Sequence, residues 1–313
     1  MRPSAIAEPY ALLVICTKDR PRETAMACRS ARLTSAEVPI LVMDASETEA
    51  TRAVCEGLAA RYGEEAMPLL YRRAQRPGLA RQRNEAIALA REMGVEVVHF
   101  IDDDTEVFDG YFEAIERRFR EDPGVMGVGG IVINQPVVNY VRLKALFLLG
   151  SHRPGTVLRS GRNVMGQYPG TPADAHVEWL VGASMSFRTS VFDELMFDDT
   201  LESYSIGEDY DFTYRLSRRH RLAVEPGAKC VHHFTPTMRV SPRRYAHLRL
   251  EATHRWVEGH AELGMSPAAF WWSALGEFLL SAGNGLLRLK PKALEEALGV
   301  CDGVLAMLRR RAG

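Results

Sequence analysis

Apolar and polar positions follow two rhythms along the first 130 residues. Short apolar runs at Leu12–Cys16, Ile40–Met43, Leu69–Tyr71 and Val97–Ile101 read as strands. Between them lie stretches of helical spacing, from Pro21 to about Leu33, Glu47–Tyr62 and Leu79–Met93. This alternation predicts an α/β fold with a mostly parallel sheet covered on both faces. Gly124–Ile133 reads as a further strand with a kink at Gly127, Gly129 and Gly130. Gly150–Asp174 has no apolar period and reads as a long loop, of the kind that is usually functional. Strand character returns at Trp179–Phe187, a helix is expected at Glu208–Arg219 after Gly207, and Lys229–His232 is a last short strand. From Pro242 onward the spacing is helical, in three pieces broken near Met265-Ser266-Pro267 and Lys290-Pro291. The pattern divides the chain into an α/β domain, 1–240, and a helical C-terminal extension, 241–313.

Each early strand ends in acid. Asp19, Asp44 and Asp102-Asp103-Asp104 fall just past strand ends, where open α/β sheets bind their ligands. With 46% hydrophobic and 25% charged residues in 313, the chain is an ordinary globular one. Its formal net charge of −1 gives no global field for nucleic acid. Residues 215–260 are locally basic, with ten Lys/Arg against three Glu and six of the nine histidines; they suit an anionic partner or a solvated helical surface. Five cysteines without C-x-x-C spacing read as reduced core thiols of a cytoplasmic protein. Met1–Tyr10 lacks the pattern of a secretory leader. Ala268–Leu289 comes nearest to a membrane segment, but Glu277 and Asn284 interrupt it, so a buried or interfacial helix is expected.

Four segments carry candidate chemistry. Asp102 and Asp104 stand at i and i+2 on an extended segment, so both can face one hard cation suited to a diphosphate; a solvated acidic turn has the same sequence. The phosphatase pattern D-x-D-x-T is not met, because Glu106 holds the fifth position. Glu208 and Asp209 open a helix, where acids either suit the helix dipole or supply a general base. His232 and His233 end a strand, and neighbouring strand residues face opposite ways, so one of them can reach a shared site. Gly78 to Asn84 opens the third helix with Arg81 and Arg83, fit for a phosphate or for an exposed basic turn. Neither G-x-G-x-x-G nor a P-loop occurs.

Together, in this order and spacing, these segments resemble the nucleotide-sugar-dependent glycosyltransferases of the large inverting family 2, which have the GT-A fold. The resemblance runs from about Leu12 to His233. It implies that Thr17, Asp19 and Arg20 form a nucleotide-binding turn, and that Asp44 contacts base or ribose. It implies that Arg83 and Asn84 orient the nucleotide, and that Asp102, Asp103 and Asp104 are the D-x-D motif holding diphosphate and metal. Trp179, Gly182 and Ala183 match the acceptor-side segment. Glu208 and Asp209 match the Glu-Asp motif, whose Asp is the base, and His232 matches the metal-binding histidine, with His233 as the alternative. Lys18 departs from the family pattern, and nothing after Pro242 matches it.

The implied activity is metal-dependent transfer of a sugar, with inversion, from a UDP-, GDP- or dTDP-sugar to an acceptor hydroxyl, with Mn²⁺ or Mg²⁺ as cofactor. The acceptor is a glycan, a lipid-linked sugar or a small molecule. The long 150–174 loop is expected to set its choice. Basic, Trp-containing C-terminal helices suit peripheral contact with the inner face of a membrane; packing on the core or a homodimer contact are the alternatives. Two other classes fit the sequence less well. A non-catalytic nucleotide- or sugar-binding relative has no chemical need for Asp209, and a nucleotidyltransferase lacks its Gly-rich loop here.

Overall fold

β1 (Ala11–Thr17) is buried along its whole length, as a strand with helices on both faces must be. The structure, a computed structural model, describes residues 10–63, 67–136, 141–200, 207–234 and 240–312. Residues 1–9, which hold most of the segment read above for a secretory pattern, lie outside them. By its contacts the chain forms two units, one of residues 1–137 and 166–235, the other of 138–165 and 236–313.

In the first unit, β1, β2 (Ile40–Asp44), β3 (Leu69–Arg73) and β4 (Val97–Asp102) alternate with α1 (Pro21–Thr34), α2 (Ala50–Tyr62) and α3 (Leu79–Glu92), within one to three residues of the periodic segments. The rest comprises β5 (Thr105–Val107), α4 (Tyr111–Glu121), β6 (Val125–Val132), β7 (Met185–Arg188), α6 (Glu208–Ser217) and β8 (Arg221–His232). Among the described residues these strands make one sheet in the order β3-β2-β1-β4-β7-β6-β8-β5. β3, β2, β1 and β4 are parallel, and so are β6 and β8. β7 runs against both β4 and β6, and β5 against β8, so the sheet is more mixed than the alternation predicts. The strand order reverses between β1 and β4. Register sets Cys16 beside Asp102 and Thr17 beside Asp44, which gathers the strand-end acids at that switch point.

Alternation along β1 builds two cores. Leu13 and Ile15 join residues of α1, α2 and α4 on one face. Leu12 and Val14 join residues of α3 and α6, with Phe192 and Phe197, on the other. α4 has no counterpart in the sequence reading, although Phe112, Ile115 and Phe119 recur at helical spacing and are buried. Three-residue β5 is too short to leave a periodic signal.

The strand expected at Trp179–Phe187 begins only at Met185. Its first part gives its backbone N–H groups to side chains instead of a neighbouring strand. Leu180 donates to Thr213 Oγ1 at 3.1 Å, Val181 to Gln167 Oε1 at 2.7 Å and Gly182 to Asp209 Oδ2 at 2.7 Å. β8 is far longer than expected, because Pro226-Gly227 sits within it beside a register shift against β6.

The second unit joins α5 (Arg142–Leu146) and the 150–165 loop to α7 (Pro242–Gly259), α8 (Pro267–Leu287) and α9 (Pro291–Ala312). The sequence reading places 138–165 with the α/β domain instead. Phe147 lies 5.1 Å from Trp272 between ring centroids, and Ser266 N–H donates to Arg159 O at 2.9 Å, which ties this segment to the helices. Proline opens each of α7, α8 and α9, where its missing N–H costs nothing, and Ser241 and Ser266 cap the first two. The 215–260 cations are largely spent internally, Arg215 on Asp211, Arg218 on Glu178, Arg221 on Asp122 and Arg243 on Asp302. All five cysteines are free thiols.

Candidate active site

β4 ends at Asp102, and the chain turns through Asp103 and Asp104 into β5. Antiparallel pairing of β5 with β8 sets Thr105 opposite His232. That register carries the imidazole to the turn: His232 Nε2 lies 2.9 Å from Asp104 Oδ1 and 3.6 Å from Asp102 Oδ2. One ligand atom from each of the three falls within 4.8 Å of the others. Two carboxylates and an imidazole are a donor set that suits Mn²⁺ or Mg²⁺. His233 turns the other way and pairs with Glu106 at 3.0 Å.

Asp103 points away from this cluster. Its Oδ2 accepts from Thr17 Oγ1 at 2.7 Å and its Oδ1 from Arg20 at 2.6 Å, while the second Arg20 nitrogen reaches Asp104 at 2.9 Å. Burial pushes Asp103 up to about 7, although Arg20 and the Thr17 hydroxyl pull it down. Asp103 therefore fastens the D-x-D turn to the end of β1 and the start of α1. Asp44, expected at base or ribose, is fully enclosed. It accepts from Ser46 N–H at 2.8 Å and from Tyr71 O–H at 2.9 Å, and so shapes the turn after β2. Ser46 Oγ in turn accepts from Asp19 N–H at 2.7 Å, holding Asp19 at φ +55°.

α3 contributes three consecutive side chains with three tasks. Gln82 Nε2 donates to the carbonyls of Thr17 at 3.0 Å and Met43 at 2.8 Å, joining the ends of β1 and β2. Sequence reasoning missed Gln82; a buried polar position one residue before Arg83 was its only signal. Arg83 is 2% exposed and lies under the site. Its guanidinium donates to Glu208 at 2.7 Å, stands 3.6 Å from Asp102, and covers the rings of Phe100 and Phe197. Asn84 spends its amide on the main chain of Phe197, donating at 2.9 Å and accepting at 3.1 Å, so its side chain is held within the fold.

Gly207, at φ +91°, lets the chain enter α6 in a left-handed turn that presents Glu208 and Asp209. Asp209 Oδ2 accepts from Gly182 N–H and Oδ1 from Tyr210 N–H, each at 2.7 Å. A side chain at 182 would meet Arg83 Nη2 at 2.8 Å and Asp209 Oδ2 at 3.4 Å, so the close approach requires glycine. Burial raises Asp209, with Arg83 and the two backbone donors opposing it. Burial and the Asp209 charge push Glu208 up to about 8, and Arg83 offsets part of this. Trp179 packs edge-on to Tyr210 at 6.1 Å, and Ala183 is fully buried. The two therefore support the Gly182 loop from behind.

Five carboxyl groups thus surround two arginines, Arg20 and Arg83. This surplus of acid at the carboxyl edge of the sheet, with a helix-start carboxylate held beside a glycine loop, brings groups able to hold a cation and a group able to accept a proton into one site. The sequence model of glycosyltransferase-like family 2 matches residues 8–259, and the chain belongs to that family. Among curated proteins, none matches it by sequence.

Solved structures share the fold. The mannosyltransferase PcManGT from Pyrobaculum calidifontis, in complex with GDP-Man and Mn²⁺, superposes at TM-score 0.60 with 14% identity, over 95% of this chain and 87% of that one. Residues 1–349 of TarS from S. aureus, in complex with UDP-GlcNAc, give 0.52 and 15%, over 93% and 79%. No described helix is long and apolar enough to cross a membrane.

Proposed function

We propose that this glycosyltransferase moves a sugar from a nucleoside-diphosphate sugar to an acceptor hydroxyl in a single displacement that inverts the anomeric carbon. Asp102, Asp104 and His232 would hold Mn²⁺ or Mg²⁺, and Asp209 takes the proton from the acceptor hydroxyl. A divalent cation in this set would offset negative charge on the departing diphosphate. The observation that carries the reading is the position of Arg83, which faces Asp102 of the acidic turn and Glu208 beside the base at once. Donor-side and acceptor-side carboxylates are thereby held in one network.

Each remaining residue has a task in this scheme. Thr17, Asp19, Arg20, Asp44, Asp103 and Gln82 shape the strand ends that receive the nucleotide. Gly182 and Tyr210 aim the Asp209 carboxylate through their N–H groups, favouring its ionised form against the burial that raises it. The acceptor is a glycan, a lipid-linked sugar or a small-molecule alcohol. GDP and UDP head the list of nucleotides to try, since PcManGT was solved with GDP-Man and TarS with UDP-GlcNAc.

The test is the thermal midpoint of the protein with GDP, UDP or dTDP, with and without Mn²⁺, beside Asp104→Ala. A ligand at a hundredfold excess over its Kd stabilises by about 2.7 kcal/mol. One nucleotide should raise the midpoint only when Mn²⁺ is present, and Asp104→Ala should lose the rise. A shift that survives in Asp104→Ala would remove the acidic turn from donor binding.

A further inference from the structure

The junction of α8 and α9 presents apolar and cationic side chains together at the surface. Leu286, Leu287 and Leu289 are 66%, 87% and 84% exposed, among the most exposed large apolar side chains described. Interleaved with them are Arg288, Lys290 and Lys292, also exposed and without a carboxylate partner among the described residues. No acidic residue occurs from Phe278 to Leu294. Glu277, the one acid of α8, is drawn inward by Arg162 and Arg249.

The backbone adds a second observation. Leu289 sits at φ +50°, a left-handed conformation that a bulky residue rarely adopts and that glycine or asparagine would take at less strain. Burial within the unit does not compensate that strain, since the side chain is exposed. Apolar exposure continues along the hairpin at Leu275, Leu279, Leu298 and Leu305, beside an apolar cavity of about 410 Å³ between α8 and α9.

We propose that this junction is a docking surface for a lipid bilayer rich in anionic headgroups. The leucines would enter the headgroup–acyl boundary while the three cations meet lipid phosphates. Charge decides against a second copy of the chain as occupant. A two-fold contact places the same patch on itself, here three cations against three, with the nearest acids in sequence, Glu295 and Glu296, beyond Leu294 on α9. No described helix is suited to spanning, and the proposed attachment is to the bilayer surface. It is independent of the transfer chemistry proposed above.

Full-length protein floated with vesicles supplies the test. Vesicles of phosphatidylcholine alone should recover little protein; with phosphatidylglycerol as about a third of the lipid they should recover much, and about 0.5 M salt should release it. Arg288→Gln/Lys290→Gln/Lys292→Gln should weaken partition about 100-fold, at about fivefold per cation. Leu287→Gln/Leu289→Gln should weaken it as well, with the charge intact. These positions are exposed, so both variants should keep the parent's melting temperature and nucleotide response. Those two controls, run without lipid, separate misfolding and a failed donor site from failed docking. Protein that ignores anionic vesicles overturns the proposal, as does a triple variant that binds like the parent. A concentration-dependent dimer abolished by Leu287→Gln/Leu289→Gln also overturns it, by making the patch a self-contact.

Discussion

A side chain that accepts a proton from an alcohol works best when its pKa lies above that of a solvated carboxylate, and burial moves Asp209 in that direction. Only the ionised form is a base, so activity should fall as pH drops through this raised pKa, with the midpoint above the ordinary aspartate value of 3.8. Arg83 opposes the rise more than any other neighbour. Arg83→Gln should therefore shift the acid limb to higher pH, while Arg83→Lys keeps the cation and shifts it less. Asp209→Asn keeps an oxygen for the Gly182 N–H and should bind donor normally, yet lose about 10²–10⁴-fold in rate. Single-turnover rates beside donor affinities decide this: normal turnover by Asp209→Asn removes Asp209 as the base. Resemblance made the residue type at 209 legible in the sequence. Its partners were not, because the contact with Gly182 joins positions 27 apart. Asp103 and Asp44 teach the same limit: their acidity is written in the chain, but their inward direction comes from Thr17, Arg20, Ser46 and Tyr71.

Elements that repeat a strong period were legible, and those whose backbone bonds to side chains were not. β1, β2, β4 and α3 follow their apolar spacing closely, whereas Leu180–Gly182 has strand composition and no strand partner. Between the elements, Gln82 ties α3 to two strand ends through one nitrogen. Gln82→Leu keeps the bulk and loses both bonds, for a cost of roughly 0.5–1.5 kcal/mol each at most, since Thr17 O also accepts from Ala45 N–H. The melting temperature should fall by a few degrees. If Gln82 positions the nucleotide edge, donor KM should rise while kcat changes little; a fall in stability with KM unchanged would make it a packing residue only.

A formal net charge of −1 conceals how this molecule distributes its charge, with surplus acid in the first unit's site and exposed cations at the α8–α9 junction of the second. Storing acid in a buried site has a consequence for the stability of the whole. Glu208 lies at about 8 in the fold against an ordinary 4.5. The folded chain therefore keeps a proton that the unfolded chain releases. The stabilisation from this group is complete below pH 4.5, shrinks as pH rises, and is gone once pH passes about 8. Across that window the slope is on the order of 1 kcal/mol per pH unit for a single proton. Melting temperature measured from pH 5 to pH 8 should thus decline more steeply in the parent than in Glu208→Gln, which cannot ionise but still offers Arg83 an oxygen. Groups remote from Arg83 titrate equally in both proteins, so the difference between the two curves reports Glu208 together with the Asp209 and Asp102 charges coupled to it. Parallel curves would mean that Arg83 holds Glu208 ionised throughout, and that the pair is a buried ion pair at every pH tested. Divergence would mean that the fold keeps a neutral acid beside its base, which lowers the repulsion Asp209 must overcome to ionise.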